Sequence, residues 1–141
     1  MTQVAFLTGV SDKLALALRL LRKKHREGAR VAVFGPPALL NRLDQALWAE
    51  DALSFLPHLR VRGDAPADVP LELTPIWLLD RPVPGLRCDS AINLGADEPG
   101  WLQGFDKVAE LVGIEDDERL AGRRRWKHYE TSGCTLSHHP Q

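Results

Sequence analysis

The chain predicts a single α/β domain of three layers, with helices on both faces of a mostly parallel sheet. Three observations lead there. Short apolar runs, long enough for buried strands, alternate with stretches whose apolar residues recur at helical spacing. The 141 residues are 44% hydrophobic and 26% charged, which suits one globular domain with a real core. No internal repeat or low-complexity linker divides residues 1–141.

In order, Gln3–Thr8 is an apolar run that predicts a buried strand. Ser11 or Asp12 can cap the helix that follows, which carries Leu14, Leu18, Leu21 and His25 along one side and has Gly28 after its last basic turn. Arg30–Phe34 predicts a second strand. Gly35, Pro36 and Pro37 turn the chain into a helix over Ala38–Ala49, with Leu39, Leu43, Ala46 and Leu47 on one stripe. Strand, helix and parallel strand make a βαβ unit. Asp51–Asp68 is irregular. Leu71–Leu79 looks extended, but Pro75 confines it to an edge or splits it. Cys88–Leu94 is the next strand. Leu102–Val112 predicts a helix from the spacing of Phe105, Val108, Ala109 and Val112, and residues 134–141 read as a loose tail. The sum is a three-layer pattern with a mostly parallel, Rossmann-like sheet.

Nucleotide chemistry finds no support in the loops. Thr8-Gly9-Val10-Ser11 and Gly35-Pro36-Pro37 match neither a dinucleotide fingerprint nor a P-loop, and the prolines lack N–H groups for a phosphate. Cys134, His138 and His139 resemble a metal spacing, but three ligands in a loose tail are a weak signal, so no metal or cofactor is expected. Cys88 reads as a small core residue and His58 as a loop contact. No nucleophile, base and acid can be assembled, so no catalytic residue is expected. The N-terminus lacks a signal-peptide pattern, no apolar run is long enough for a membrane helix, and two cysteines suit a reducing cytoplasm.

The most informative stretch is Glu115–Glu130. It is acidic from Glu115 to Glu118 and basic at Arg123, Arg124, Arg125 and Lys127, the order a helix dipole favours. Arg119, Arg123, Trp126 and Lys127 fall at i, i+4, i+7 and i+8, on one face. On composition alone this reads first as a solvated basic face with Trp126 tucked beneath it. As a binding surface it suits a ligand with an apolar end and negative charge. A nucleobase with its phosphate would fit, and so would a peptide ending in an aromatic residue and a carboxylate. A net charge of −1 argues against a general nucleic-acid coat, so any basic site must be local.

Arg42–His58 reads RLDQALWAEDALSFLPH, and it resembles the LD-x-ALW…SF-[LV]-PH signature of the chi subunit of bacterial DNA polymerase III. The later block agrees: Phe105–Val112, an acidic step, then Arg123-x-x-Trp126-Lys127-x-Tyr129 and Gly133. The resemblance covers nearly the whole chain. It implies a non-catalytic adaptor in the clamp-loader assembly, joining the psi subunit to the acidic C-terminal tail of single-stranded DNA-binding protein, with only indirect contact to single-stranded DNA. By matching positions, Val112, Arg119, Arg123, Trp126 and Lys127 would hold that tail, which ends in proline, phenylalanine and a free carboxylate. Trp48, Phe55, Pro57 and His58 would meet psi or a helicase. Two departures stand out: Trp126 replaces the family's usual tyrosine, and Gly122 interrupts the helix at about 1 kcal/mol relative to alanine. The alternatives are a direct single-stranded nucleic-acid-binding domain or, further off, a nucleotide-related enzyme of Rossmann-like fold.

Overall fold

The computed structural model describes residues 2–49, 56–61 and 74–141. Among these the strands are β1 (Gln3–Val10), β2 (Val31–Phe34), β3 (His58–Val61), β4 (Ile76–Leu79), β5 (Ser90–Asn93), β6 (Lys107–Gly113) and β7 (Thr135–Pro140). The helices are α1 (Lys13–Arg26), α2 (Pro37–Trp48) and α3 (Asp116–Thr131). The strands form one sheet in the order β3-β4-β2-β5-β6-β1-β7, and each neighbouring pair is parallel. The expected α/β architecture with a parallel sheet is therefore present.

The pleat sends alternate residues to opposite faces. Val31, Val33, Ile76, Leu78, Ile92 and Leu111 point to the face covered by α1 and α2, where Leu16, Ala17, Leu21, Leu40, Leu43 and Leu47 are buried against them. Val4, Phe6, Ala32, Trp77, Val108 and Val112 point to the other face, beneath Tyr129 and Trp126 of α3 and a single 3-10 turn at Pro99–Trp101. Asp12 caps α1 by accepting a hydrogen bond from the Ala15 N–H at 3.1 Å. In α2 the core stripe is Leu40, Leu43 and Leu47, one position round from the expected one, with Leu39 and Ala46 at its margins.

Five expectations need correcting. The helix expected over Leu102–Val112 is absent: residues 102–106 are turn and Lys107–Val112 belong to β6, a strand near the middle of the sheet. With Val108 and Val112 buried on one face and Leu111 on the other, the apolar residues of a strand covered on both sides satisfy a helical template by chance. The loose tail is β7, paired in register with β1 from Gln3↔Thr135 to Thr8↔Pro140. Pro75 does not confine its segment to an edge, since β4 begins at Ile76 and lies between β3 and β2; residues 71–73, before the proline, lie outside the described residues. The proline precedes the ladder, so it costs no pairing there. The edge on that side is β3, which emerges from the stretch read as irregular. The βαβ unit is also wider than expected, because β5 and β6 lie between β2 and β1.

Cys88 packs half-buried against the α3-side core, and burial pushes its thiol up to about 11, as befits a packing residue. Among the described residues, no helix is long and apolar enough to cross a membrane.

Candidate functional site: a groove between α3 and the β1–β7 edge

Helix α3 follows β6 and lies back across the α3-side face, which brings it alongside β1 and β7. Gly122 sits buried where the helix crosses Val112: a Cβ there would lie 3.0 Å from Val112 Cγ2. The glycine thus sets the close approach of helix to sheet, and does not break the helix. Gly133, with φ of 81°, ends α3 and turns the chain into β7.

A groove of about 420 Å³ opens beside this crossing. Its apolar wall is Phe6, Val112 and Trp126, and Arg119, Arg123, Thr8 and His138 complete it. Trp126 meets Phe6 edge-on at 5.0 Å between ring centroids, and His138 at 6.5 Å. The Thr8 hydroxyl and His138 Nε2 share a 2.6 Å hydrogen bond across the β1–β7 pair. The structure thus gathers Val112, Arg119, Arg123 and Trp126 around one cavity, while Lys127 is exposed outside its lining.

The remaining charges of α3 point elsewhere. Arg125 is buried, with Nε donating to Glu110 Oε1 at 3.0 Å and a second contact to Asp97 at 3.5 Å. Tyr129 donates its hydroxyl to the other Glu110 oxygen at 2.7 Å, and Asn93 donates to both at 3.0 Å. Burial pushes the Glu110 carboxyl above the usual range, and Arg125 and the hydrogen bonds pull against that. Arg124 pairs with Asp97 at 3.3 Å, and Arg119 with Asp116 one turn away. Among the described residues, Arg123 and Lys127 are the α3 cations without an ion-pair partner. Arg123 is the one that faces the groove.

Sequence reasoning missed Phe6, Thr8 and His138. Alternation along β1 places Phe6 and Thr8 on one face, but only the pairing of β7 with β1 carries His138 to them. The same pairing separates the residues with a metal-like spacing. His138 lines the groove beside α3, and His139 lines a different one on the opposite face of the sheet, so the two cannot converge on one ion with Cys134. Among the described residues there is no group of three or more metal-ligating side chains.

The second expected surface is only partly described, since Phe55 lies outside the described residues. Trp48, at the end of α2, is 63% exposed, and Pro57 is exposed. His58 is not a surface contact. It lies at the start of β3, with its side chain buried, one ring nitrogen 3.0 Å from Asp44 and the other 2.8 Å from the Leu56 carbonyl. Its ring supports Trp48 from beneath at 5.0 Å, because β3 turns the histidine inward against α2.

The family model described as DNA polymerase III chi subunit, HolC, matches residues 1–137. A protein of Pseudomonas aeruginosa named DNA polymerase III subunit chi is 35% identical over 130 residues, which are 92% of this chain and 87% of that protein. The subunit chi of Escherichia coli K12 is 30% identical over 131 residues, 92% of this chain and 86% of its own. That of Haemophilus influenzae is 30% identical over 96 residues, 67% of this chain and 63% of its own. With a match along nearly its whole length, the chain belongs to the DNA polymerase III chi subunit family, an accessory rather than a catalytic subunit.

Proposed function

We propose that the chain is an adaptor within the clamp-loader assembly, and that the α3 groove takes the acidic C-terminal tail of single-stranded DNA-binding protein. The observation that carries this reading is Arg123, free of ion pairs among the described residues and set beside an apolar recess walled by Phe6, Val112 and Trp126. A terminal phenylalanine fills such a recess, and its carboxylate meets the guanidinium in a charge-assisted, bidentate contact. Arg119, already shared with Asp116, is placed to meet acidic residues further up the tail. Lys127 lies outside the groove and contributes only to the surrounding field.

Calorimetry with a short acidic peptide ending in proline and phenylalanine tests this. Arg123→Ala should weaken binding by about 1.5–3 kcal/mol, roughly 10- to 150-fold, and amidating the peptide's terminus should do the same to the intact protein. Raising salt to physiological strength, where the Debye length is about 8 Å, should weaken it further. Wild-type affinity in Arg123→Ala, with an unchanged melt, would remove the assignment.

The exposed Trp48 and Pro57, with Phe55, form the lip that docks psi or a helicase in this reading. Its support is an apolar surface at the far edge of the sheet from the groove, stiffened from below by His58. Phe55→Ala should abolish that docking and leave tail-peptide binding nearly untouched, because separated sites add and do not couple. A large fall in melting temperature with both partners lost would instead make Phe55 a core residue.

A further inference from the structure

Helix α1 holds the chain's other concentration of positive charge, and the α3 groove uses none of it. Residues 13–26 contain six Lys and Arg and no Asp or Glu. The helix dipole accounts for basic residues in the last turn, Lys23 to Arg26, but its influence fades within that turn and does not reach Arg19. Arg19, Lys23 and Arg26 follow i, i+4 and i+7 and are all exposed, forming a stripe about 10 Å long. Among the described residues, none of these three has an ion-pair partner.

Two grooves meet along this stripe. One, of about 440 Å³, is bounded by Arg19, Lys23 and Arg26 over Leu16 and Leu20. The other, of about 400 Å³, shares Leu20 and Lys23 with the first and adds Lys24 and Lys107 above a floor of Ala5, Leu7 and Ala109. Among the described residues no Asp or Glu lines either groove, and Gln141 borders the first. The result is a continuous basic track on the sheet face opposite the α3 groove, in a chain whose net charge is −1.

We propose that this track binds the phosphate backbone of single-stranded DNA. Cations repeated along a path match a polymer with one anion per unit, whereas a peptide terminus needs one cation beside a closed apolar recess. A bilayer is disfavoured because the apolar side of α1, with Leu16, Ala17 and Leu21, is already buried in the core. A duplex is disfavoured because α1 lies flat on the sheet and does not project as a helix entering a major groove must. Among the described residues no Phe, Tyr or Trp side chain borders the track, so bases are not stacked and sequence is not read.

Anisotropy of a fluorescein-labelled oligo(dT), titrated with the whole chain, tests the proposal. The five cations of the track at about 0.7 each give a log–log salt slope near −3.5, so raising salt from 50 to 200 mM should weaken binding roughly 130-fold. Arg19→Ala/Lys23→Ala/Arg26→Ala should weaken it at least about tenfold at 50 mM and flatten that slope, with the melt and tail-peptide affinity unchanged. Lys24→Ala/Lys107→Ala, in the second groove, should weaken it several-fold. Wild-type affinity in both variants would overturn the proposal, and so would an unlabelled duplex that competes as well as a single strand. An Arg123→Ala effect as large as the triple variant's would also overturn it, by moving the DNA to α3. Oligonucleotide binding without peptide binding would instead leave this proposal standing and remove the tail groove.

Discussion

Helix α3 carries five Lys and Arg in 16 residues and helix α1 carries six in 14, and apart from Lys13, which pairs with Glu118, the fold treats the exposed members of the two sets in opposite ways. In α3 the neighbouring carboxylates consume most of the charge. Glu110 and Asp97 take Arg125, Asp97 takes Arg124, and Asp116 takes Arg119. One groove-facing cation, Arg123, is left beside a tryptophan. In α1 the described exposed cations are left open along a track without Phe, Tyr or Trp. Charge count alone therefore says little about recognition. A single unspent guanidinium beside a shaped apolar wall suits one chemical end group, and a row of unspent cations suits a repeating polyanion.

The sharpest test of this contrast is Arg125. Replacing it with alanine strands Glu110 inside the protein, and losing one partner of a buried pair costs about 3–5 kcal/mol. For a chain of this size that is a fall in melting temperature of about 10 °C or more. Arg19→Ala on α1, exposed and unpaired, should change stability by no more than about 0.5 kcal/mol. Equal melts for the two variants would erase the distinction between spent and unspent charge.

Next in size is Arg123→Ala, with its loss of about 1.5–3 kcal/mol in peptide binding and no change in melting. A smaller effect should come from Gly122→Ala. Alanine gains about 1 kcal/mol of helix propensity, but its Cβ meets Val112 Cγ2 at 3.0 Å. Stability should stay within about 1 kcal/mol of wild type, while the displaced valine narrows the groove and lowers peptide affinity several-fold by calorimetry. The smallest effect belongs to Lys127→Ala. Outside the groove and screened by solvent, it should cost no more than about 0.5 kcal/mol of peptide affinity at physiological salt, and more at low salt.

Taken alone, the sequence determined what local physics controls. A cap at Ser11 or Asp12, the turn at Gly35-Pro36-Pro37 and the acidic-to-basic order of α3 each act within one or two turns of chain, and α1, α2 and α3 stand where those signals put them. The side-by-side placement of Arg119, Arg123 and Trp126 is likewise a matter of helical spacing, so the order of residues is enough to specify it. Tertiary structure decided the rest. Whether Val108–Val112 is helix or strand depends on being covered from both sides, and that cover comes from α1 on one face and α3 on the other. Residues 135–140 become a strand only because β1 lies open beside them, and that pairing delivers His138 to Trp126. Nothing near Arg125 marks it as different from Arg123 or Arg124. Its burial follows from Glu110, fifteen residues earlier on a central strand, which is a long-range electrostatic match that no local pattern encodes.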